Sequence, residues 1–417
     1  MSAADNQRIA TLASNRAVHA AFAWLHLHEP QLRRWQMECM AIPAPPFGEI
    51  ARAKWFSQQF ETLGLSGTHI DSEGNVLAEL RRDGDDGPAE FGESDSPVVL
   101  ISAHMDTVFP LETDCTPHED EARLLGPGAC DNGAGLTALL GLAAAMQSAQ
   151  IRPDCTILFA ANVGEEGEGD LRGMRYLFGP SPYAKRIRAA IALEGSGNGT
   201  VVDRALGSRR LRVTITGPGG HSWADAGRPN PILALSAALI AVAHISVPRH
   251  PRTTINCGTI SGGTSVNSIP SLATADLDLR SISALQLDHT ELAVLKTLEA
   301  TLKTESSGQL RLHVERIGNR AAGELPRNSP LAHSLQAVDR HLHLTTESRI
   351  GSTDANLPLS LGVPALAIGA GGIGGGVHTL DEWYDPTGRD LALRRVLLLL
   401  LDASALAGSG SLIDSGA

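Results

Sequence analysis

The chain has 417 residues, enough for two or three domains and a core that needs no covalent staples. Its 46 acidic against 34 basic side chains leave a net charge of −12, which argues against a nucleic-acid surface because phosphate contacts want clustered Lys and Arg. Five cysteines without any CxxC spacing read as reduced thiols of a cytoplasmic protein, and no basic stretch followed by an apolar run marks a signal peptide.

The first predicted elements are helices over residues 14–64, broken where Pro43, Pro45 and Pro46 cluster. Residues 83–97, acidic and rich in Gly and Ser, read as a solvated loop. Residues 98–101 form a short apolar run that leads into His104 and Asp106. A helix dense in Ala and Leu, residues 135–148, follows a glycine-rich loop carrying Asp131. Further apolar runs at 156–159 and 190–193 lead into Glu165-Glu166 and into Glu194. Alternating strand and helix patterns of this kind predict βαβ units and a largely parallel sheet.

From about residue 207 the pattern changes. Strands are expected at 210–216, 254–260, 273–280 and 309–315, with helices at 231–245 and 285–304. The order βαββαβ predicts a ferredoxin-like layer of four antiparallel strands with two helices on one face. After Pro326 helix, strand and helix return. The run 365–368 opens into a glycine-rich loop that ends at His378, and the apolar stretch 396–401 is far short of the roughly 20 residues that span a bilayer. The expected fold is therefore α/β: a domain with a central, mostly parallel sheet flanked by helices (residues 1–206 and 321–417), interrupted by an inserted ferredoxin-like α+β domain (207–320).

Ligands of open α/β sheets bind beyond the carboxyl ends of the strands. Four apolar runs discharging His, Asp and Glu at one edge predict a metal centre there. His104 and Asp106, two apart, leave the same face, so His104 can ligate through one nitrogen while Asp106 accepts the other N–H. Glu165 and Glu166 are adjacent and point opposite ways in an extended chain, which suits one to metal and the other to taking a proton from water. Asp131 is a candidate helix N-cap or a carboxylate bridging two cations, and the surrounding glycines, which permit close backbone approach, favour the ion. Glu194 and His378 complete an imidazole and carboxylate set without thiolate, which suits Zn²⁺ and also Co²⁺ or Mn²⁺.

His104-x-Asp106, Gly128-x-x-Asp131, Glu165-Glu166-Gly167, Glu194, Gly219-Gly220-His221-Ser222 and His378 together resemble the co-catalytic di-zinc family of glutamate carboxypeptidase, succinyl-diaminopimelate desuccinylase, aminoacylase and peptidase T. The resemblance runs from about residue 40 to the C-terminus. It implies two divalent ions, zinc by preference, with Asp131 as the bridge, His104 and Glu194 on one ion, and Glu166 and His378 on the other. Glu165 would be the general base and Asp106 the orienting carboxylate, with a cis peptide after Asp131. His221 would contact the reacting carbonyl, in dimeric relatives that of the neighbouring subunit. Asn267 and Arg280 would hold the substrate's carboxylate or backbone, and Asp354 would stand on the cleft wall. The insert becomes a lid and dimerisation domain, and the substrate a small peptide or an N-acyl amino acid. Two cues divide the family: Asn132-Gly133-Ala134-Gly135 is closer to the peptidase T side, whereas Glu rather than Asp at 194 is the carboxypeptidase and deacylase habit. The second carries more weight because that side chain would touch the metal.

Rival readings are a nucleotide-binding dehydrogenase, from Gly369-Ala-Gly-Gly-Ile-Gly374 after a strand, and a metal- or peptide-binding module without chemistry. A serine hydrolase is disfavoured by the lack of GxSxG.

Overall fold

Four apolar segments form the centre of the larger sheet in a computed structural model that describes residues 3–82, 96–305 and 308–412. Thr156–Asn162, Val98–His104, Ile187–Leu193 and Ala365–Ile368 lie side by side in that order, each parallel to its neighbour. Almost every residue in them is buried, as expected of parallel strands covered on both faces. Antiparallel partners extend the sheet, Val76–Leu80 and Ser66–Ile70 on one side and Thr200–Ala205 on the other. Glu347–Gly351 runs parallel beside Thr200–Ala205. The acidic stretch expected as a loop lies outside the described residues up to position 95.

The N-terminal helical region is four helices: Ala3–Ala13, Arg16–Leu27, Glu29–Met40 and Ile50–Thr62. The proline cluster falls in the last gap. The first helix lies ahead of the expected region, which starts beside Asn15, the cap of the second helix through Ala17 N–H; the break where Pro30 opens the third went unforeseen. Gly133–Ser148 is apolar all round and packs against the parallel strands and against the second and third helices. Its N-terminal turn lies hard against the end of Ile187–Leu193. A Cβ on Gly135 would stand 2.8 Å from the Leu193 carbonyl oxygen, so only glycine allows this approach. The apolar C-terminal run forms a buried stretch of the helix Arg389–Gly408, and among the described residues no helix is long and apolar enough to cross a membrane.

A second compact unit comprises Leu206–Gly323. Its sheet runs Thr253–Gly262, Leu272–Ser281, Gly207–Thr216, Arg311–Arg320, antiparallel throughout, which is the ferredoxin-like order. Pro231–Ala243 and Ala284–Glu305 pack on each other and on the two inner strands, around Leu211, Val213, Leu235, Leu277 and Leu298. The last strand is longer than its apolar pattern suggested, because a bulge between Arg316 and Gly318 carries the pairing onward to Arg320.

A small antiparallel sheet was not foreseen. Ile373–Gly375, Trp383–Asp385, Arg123–Leu125 and His118–Asp120 pair in that order, so the glycine-rich loop after Ala365–Ile368 enters a strand rather than a helix. The dinucleotide fingerprint needs a helix N-terminus at that point and does not find one.

Gly135→Ala is expected to lower stability by about 1–3 kcal/mol through overpacking, whereas Gly199→Ala, with open space at the added Cβ, should be near neutral. Thermal unfolding of both variants checks this, and equal melting temperatures would contradict the close approach.

Candidate metal centre

The carboxyl ends of the four parallel strands are nearly level, with His104 opposite Asn162 and Leu193 opposite Ile368. His104 closes its strand, Glu194 directly follows its own, and Glu165 and Glu166 come three and four residues after Asn162. Asp131 precedes the buried helix, whose N-cap is its neighbour Asn132. The peptide between Asp131 and Asn132 is cis. His378 lies in the loop of the small sheet with φ of 65°, a left-handed conformation uncommon outside glycine.

Asp131 stands between two imidazoles. Its Oδ1 is 3.1 Å from His104 Nε2, and its Oδ2 is 3.1 Å from His378 Nε2. His104 Nε2 also lies 3.4 Å from Glu194 Oε1, and His378 Nε2 lies 2.9 Å from Glu166 Oε1. Two donor sets result, His104–Asp131–Glu194 and Asp131–Glu166–His378, in each of which all donor atoms lie within 4.8 Å of one another. They share Asp131. A third set joins His104 to Glu165 and Glu166. The opposed directions expected of the two glutamates are therefore not kept: Gly164 and Gly167, both at positive φ, flank the pair and turn the chain so that both carboxylates reach toward His104.

The electrostatics are those of crowded anions. Burial would raise Asp131, but the two imidazoles beside it hold it well below the usual carboxylate range. Glu166 and Glu194 are raised by burial, offset in part by His104. His104 resists charge through burial, yet Glu194 and Asp131 carry it well above the ordinary imidazole value. His378, bonded to Asp131, rises to about 9. Buried carboxylates this close demand positive charge, and Asp131 Oδ1 is buried without a hydrogen bond of its own. The imidazole and carboxylate donors fit divalent cations on both counts.

Asp106 is fully buried, but its partner differs from the expected one. Its carboxylate accepts the N–H groups of Glu165 at 2.9 Å and Glu166 at 2.7 Å. His104 Nδ1 instead meets the Asp106 carbonyl oxygen at 3.0 Å, with the carboxylate 3.7 Å away. The turn after the strand brings that carbonyl round, and Arg52 holds the turn by donating to the Met105 carbonyl at 2.6 Å. Asp106 thus orients the two glutamates.

Asp354 is not a cleft-wall group. It is 1% exposed, its Oδ2 accepts Asn162 Nδ2 at 2.8 Å, and burial pushes it up to about 7. In the second unit His221 is exposed, its Nδ1 accepting the N–H of Trp223 at 3.2 Å, and Ser222 N–H bonds the Asn267 carbonyl at 2.9 Å. Those two residues are close in the fold. Arg280 is not with them: it pairs with Ser208, whereas the short strand carrying His221 lies beyond the Leu272 end. Arg280 is eight residue steps along the strand from Leu272, about 27 Å at about 3.4 Å per residue.

Besides Arg52, two supporting residues were not marked by the sequence. Asn132 ties the Asp131 loop to the Glu194 strand, donating to the Leu193 carbonyl at 2.9 Å and accepting Gly195 N–H at 3.1 Å. Helix-capping preference could have found it. Glu382 is fully buried beneath the Asp131 loop, and no sequence signal marks it.

The family model described as Peptidase family M20/M25/M40 matches residues 100–401. The chain is 27% identical over 342 residues to a succinyl-diaminopimelate desuccinylase of Corynebacterium glutamicum, an alignment covering 79% of this chain and 85% of that protein. Among solved structures, a tripeptidase of Staphylococcus aureus superposes with a TM-score of 0.72 at 20% identity, covering 90% of this chain and 99% of the other. A Bacillus subtilis protein described as a dinuclear metal-binding peptidase of the M20 family gives 0.66 at 15% identity, covering 92% and 99%. At such identities the two superpositions speak for the fold alone. With a family match over most of its length and histidine and carboxylate donors gathered at the sheet edge, the chain belongs to peptidase family M20/M25/M40 and is a hydrolase.

Proposed function

We propose that this protein hydrolyses an amide whose leaving amine carries a free carboxylate, in the manner of a carboxypeptidase or dipeptidase acting on small peptides. The observation that carries this reading is the pair of donor sets sharing Asp131. His104, Asp131 and Glu194 would hold one cation, and Asp131, Glu166 and His378 the other, with zinc the preferred metal and cobalt or manganese compatible. When bound, such a pair supplies Lewis acidity that lowers the pKa of water toward 7 and polarises a carbonyl. Glu165, 5% exposed and in neither of the two sets that share Asp131, would take the proton from water and return it to the departing amine. Asp106 holds Glu165 and Glu166 by their backbone N–H groups, so base and ligand keep a fixed spacing. An N-acyl amino acid presents the same carboxylate beside its amide, and the desuccinylase relative favours that substrate as the second reading.

The insert would supply recognition. Arg280, oriented by its Nε bond to Asp278 at 2.6 Å, offers terminal nitrogens of the shape that binds a carboxylate. His221 and Asn267, at the other end of the same sheet, are too far from Arg280 for one small substrate to touch all three within a single copy. A homodimer through the insert provides the missing end. Two features support it: the outer edge of Thr253–Gly262 is unpaired among the described residues, and Leu233 and Ile240 are more than half exposed on an apolar helix.

Glu165→Gln should leave the metal content near two per chain and cut kcat at least about a hundredfold; undiminished turnover would remove Glu165 as the base. Amidating the C-terminus of a cleaved dipeptide should abolish cleavage while acetylating its N-terminus should not, and the reverse outcome would favour an aminopeptidase. Sedimentation should show a dimer that Leu233→Asp with Ile240→Asp converts to monomer. A monomeric parent protein at micromolar concentration would contradict the shared-site reading.

A further inference from the structure

We propose that Glu382 is a positioning residue that fixes the spacing between the loop carrying Asp131 and the loop carrying His378, two of the three ligands of the second cation, an inference resting on the di-metal reading above. Its Oε1 accepts the N–H of Cys130 at 2.8 Å and of Asp131 at 2.6 Å, and its Oε2 accepts that of Gly128 at 3.1 Å. The Glu382 carbonyl accepts Gly126 N–H at 2.8 Å. Four N–H groups of one loop therefore converge on a single residue of the other. That other loop also carries His378, whose Nε2 lies 3.1 Å from Asp131 Oδ2. The loop is closed at its base by pairing of Gly375 with Trp383, and Trp383 pairs in turn with Leu125, just before the Asp131 loop.

Glu382 belongs to none of the donor sets, and its carboxylate is directed at backbone rather than at the metal-holding side chains. It acts through Asp131 and His378. Three converging N–H groups require an acceptor on both oxygens. An amide that keeps its oxygen toward Cys130 and Asp131 would set its NH₂ against the Gly128 N–H. A methyl group would leave all three N–H donors without their acceptor. The two substitutions should thus form a graded series.

The test is titration of the metal-free full-length protein with Co²⁺, reading its visible absorption, with a competing chelator to set affinity, alongside thermal unfolding of the metal-free forms. Glu382→Ala should weaken binding of the second equivalent about 10–100-fold, and Glu382→Gln should weaken it less. Asp402→Asn is the control: Asp402 holds Arg8 and Ser334 far along the chain from these loops, so its loss should lower the melting temperature without changing Co²⁺ affinity. If the alanine variant does not fold, the glutamine variant carries the test. Parental affinity in the Glu382 variants that fold overturns the proposal, as does a loss of affinity in Asp402→Asn that follows its melting temperature, since that is what a merely structural role produces. Fewer than two equivalents bound by the parent protein would instead remove the di-metal reading itself.

Discussion

The arrangement depends on holding several carboxylates close together inside the fold. Two unit charges about 4 Å apart interact by about 4 kcal/mol at an effective dielectric of about 20, so the anions at this sheet edge would repel strongly if left to themselves. The structure deals with them in two ways. Asp106 and Glu382 are turned into backbone N–H groups, which stabilise them where they stand. Asp131, Glu166 and Glu194 are turned toward one another and toward two imidazoles, where only added positive charge completes the balance. The first group builds the site and the second is the site.

That division explains how the framework around the centre is held. The parallel strands fix the starting points of His104, Glu194 and the Glu165–Glu166 turn. Asn132 then ties the Asp131 loop to the end of the Glu194 strand, and Gly135 allows the helix to come close enough for that tie. In the proposed function recognition would be carried differently, by residues at opposite ends of a separate antiparallel sheet.

The sequence was most legible where burial is two-sided. Continuous apolar runs, three leading into His104, Glu165 and Glu194 and one into the glycine-rich loop before His378, marked all four central strands, because a strand covered on both faces has no polar alternation to blur it. The βαββαβ order of the insert was equally readable, with errors at element ends such as the bulge that prolongs Arg311–Arg320 and with the short pair Gly220–His221 and Ser268–Ile269 missed. The small sheet was hidden because its strands have three residues each and lie far apart in the chain, too short for any periodicity. His378 could be flagged by its position after a strand, but how it reaches Asp131 depends on that sheet. Glu382 and Arg52 act through backbone groups, which leave no trace in residue type. Asp354 misled for a related reason: its motif says nothing of burial, and the fold places the side chain against Asn162.

The proposed site stands on two cations sharing Asp131. Anomalous X-ray scattering at the zinc edge, from crystals of the zinc-loaded protein, measures this directly. The account predicts two peaks about 3.5–4 Å apart, both within coordination distance of the Asp131 carboxylate, one beside His104 and Glu194 and the other beside Glu166 and His378. A single peak, or a pair that leaves Asp131 outside both coordination spheres, would contradict it.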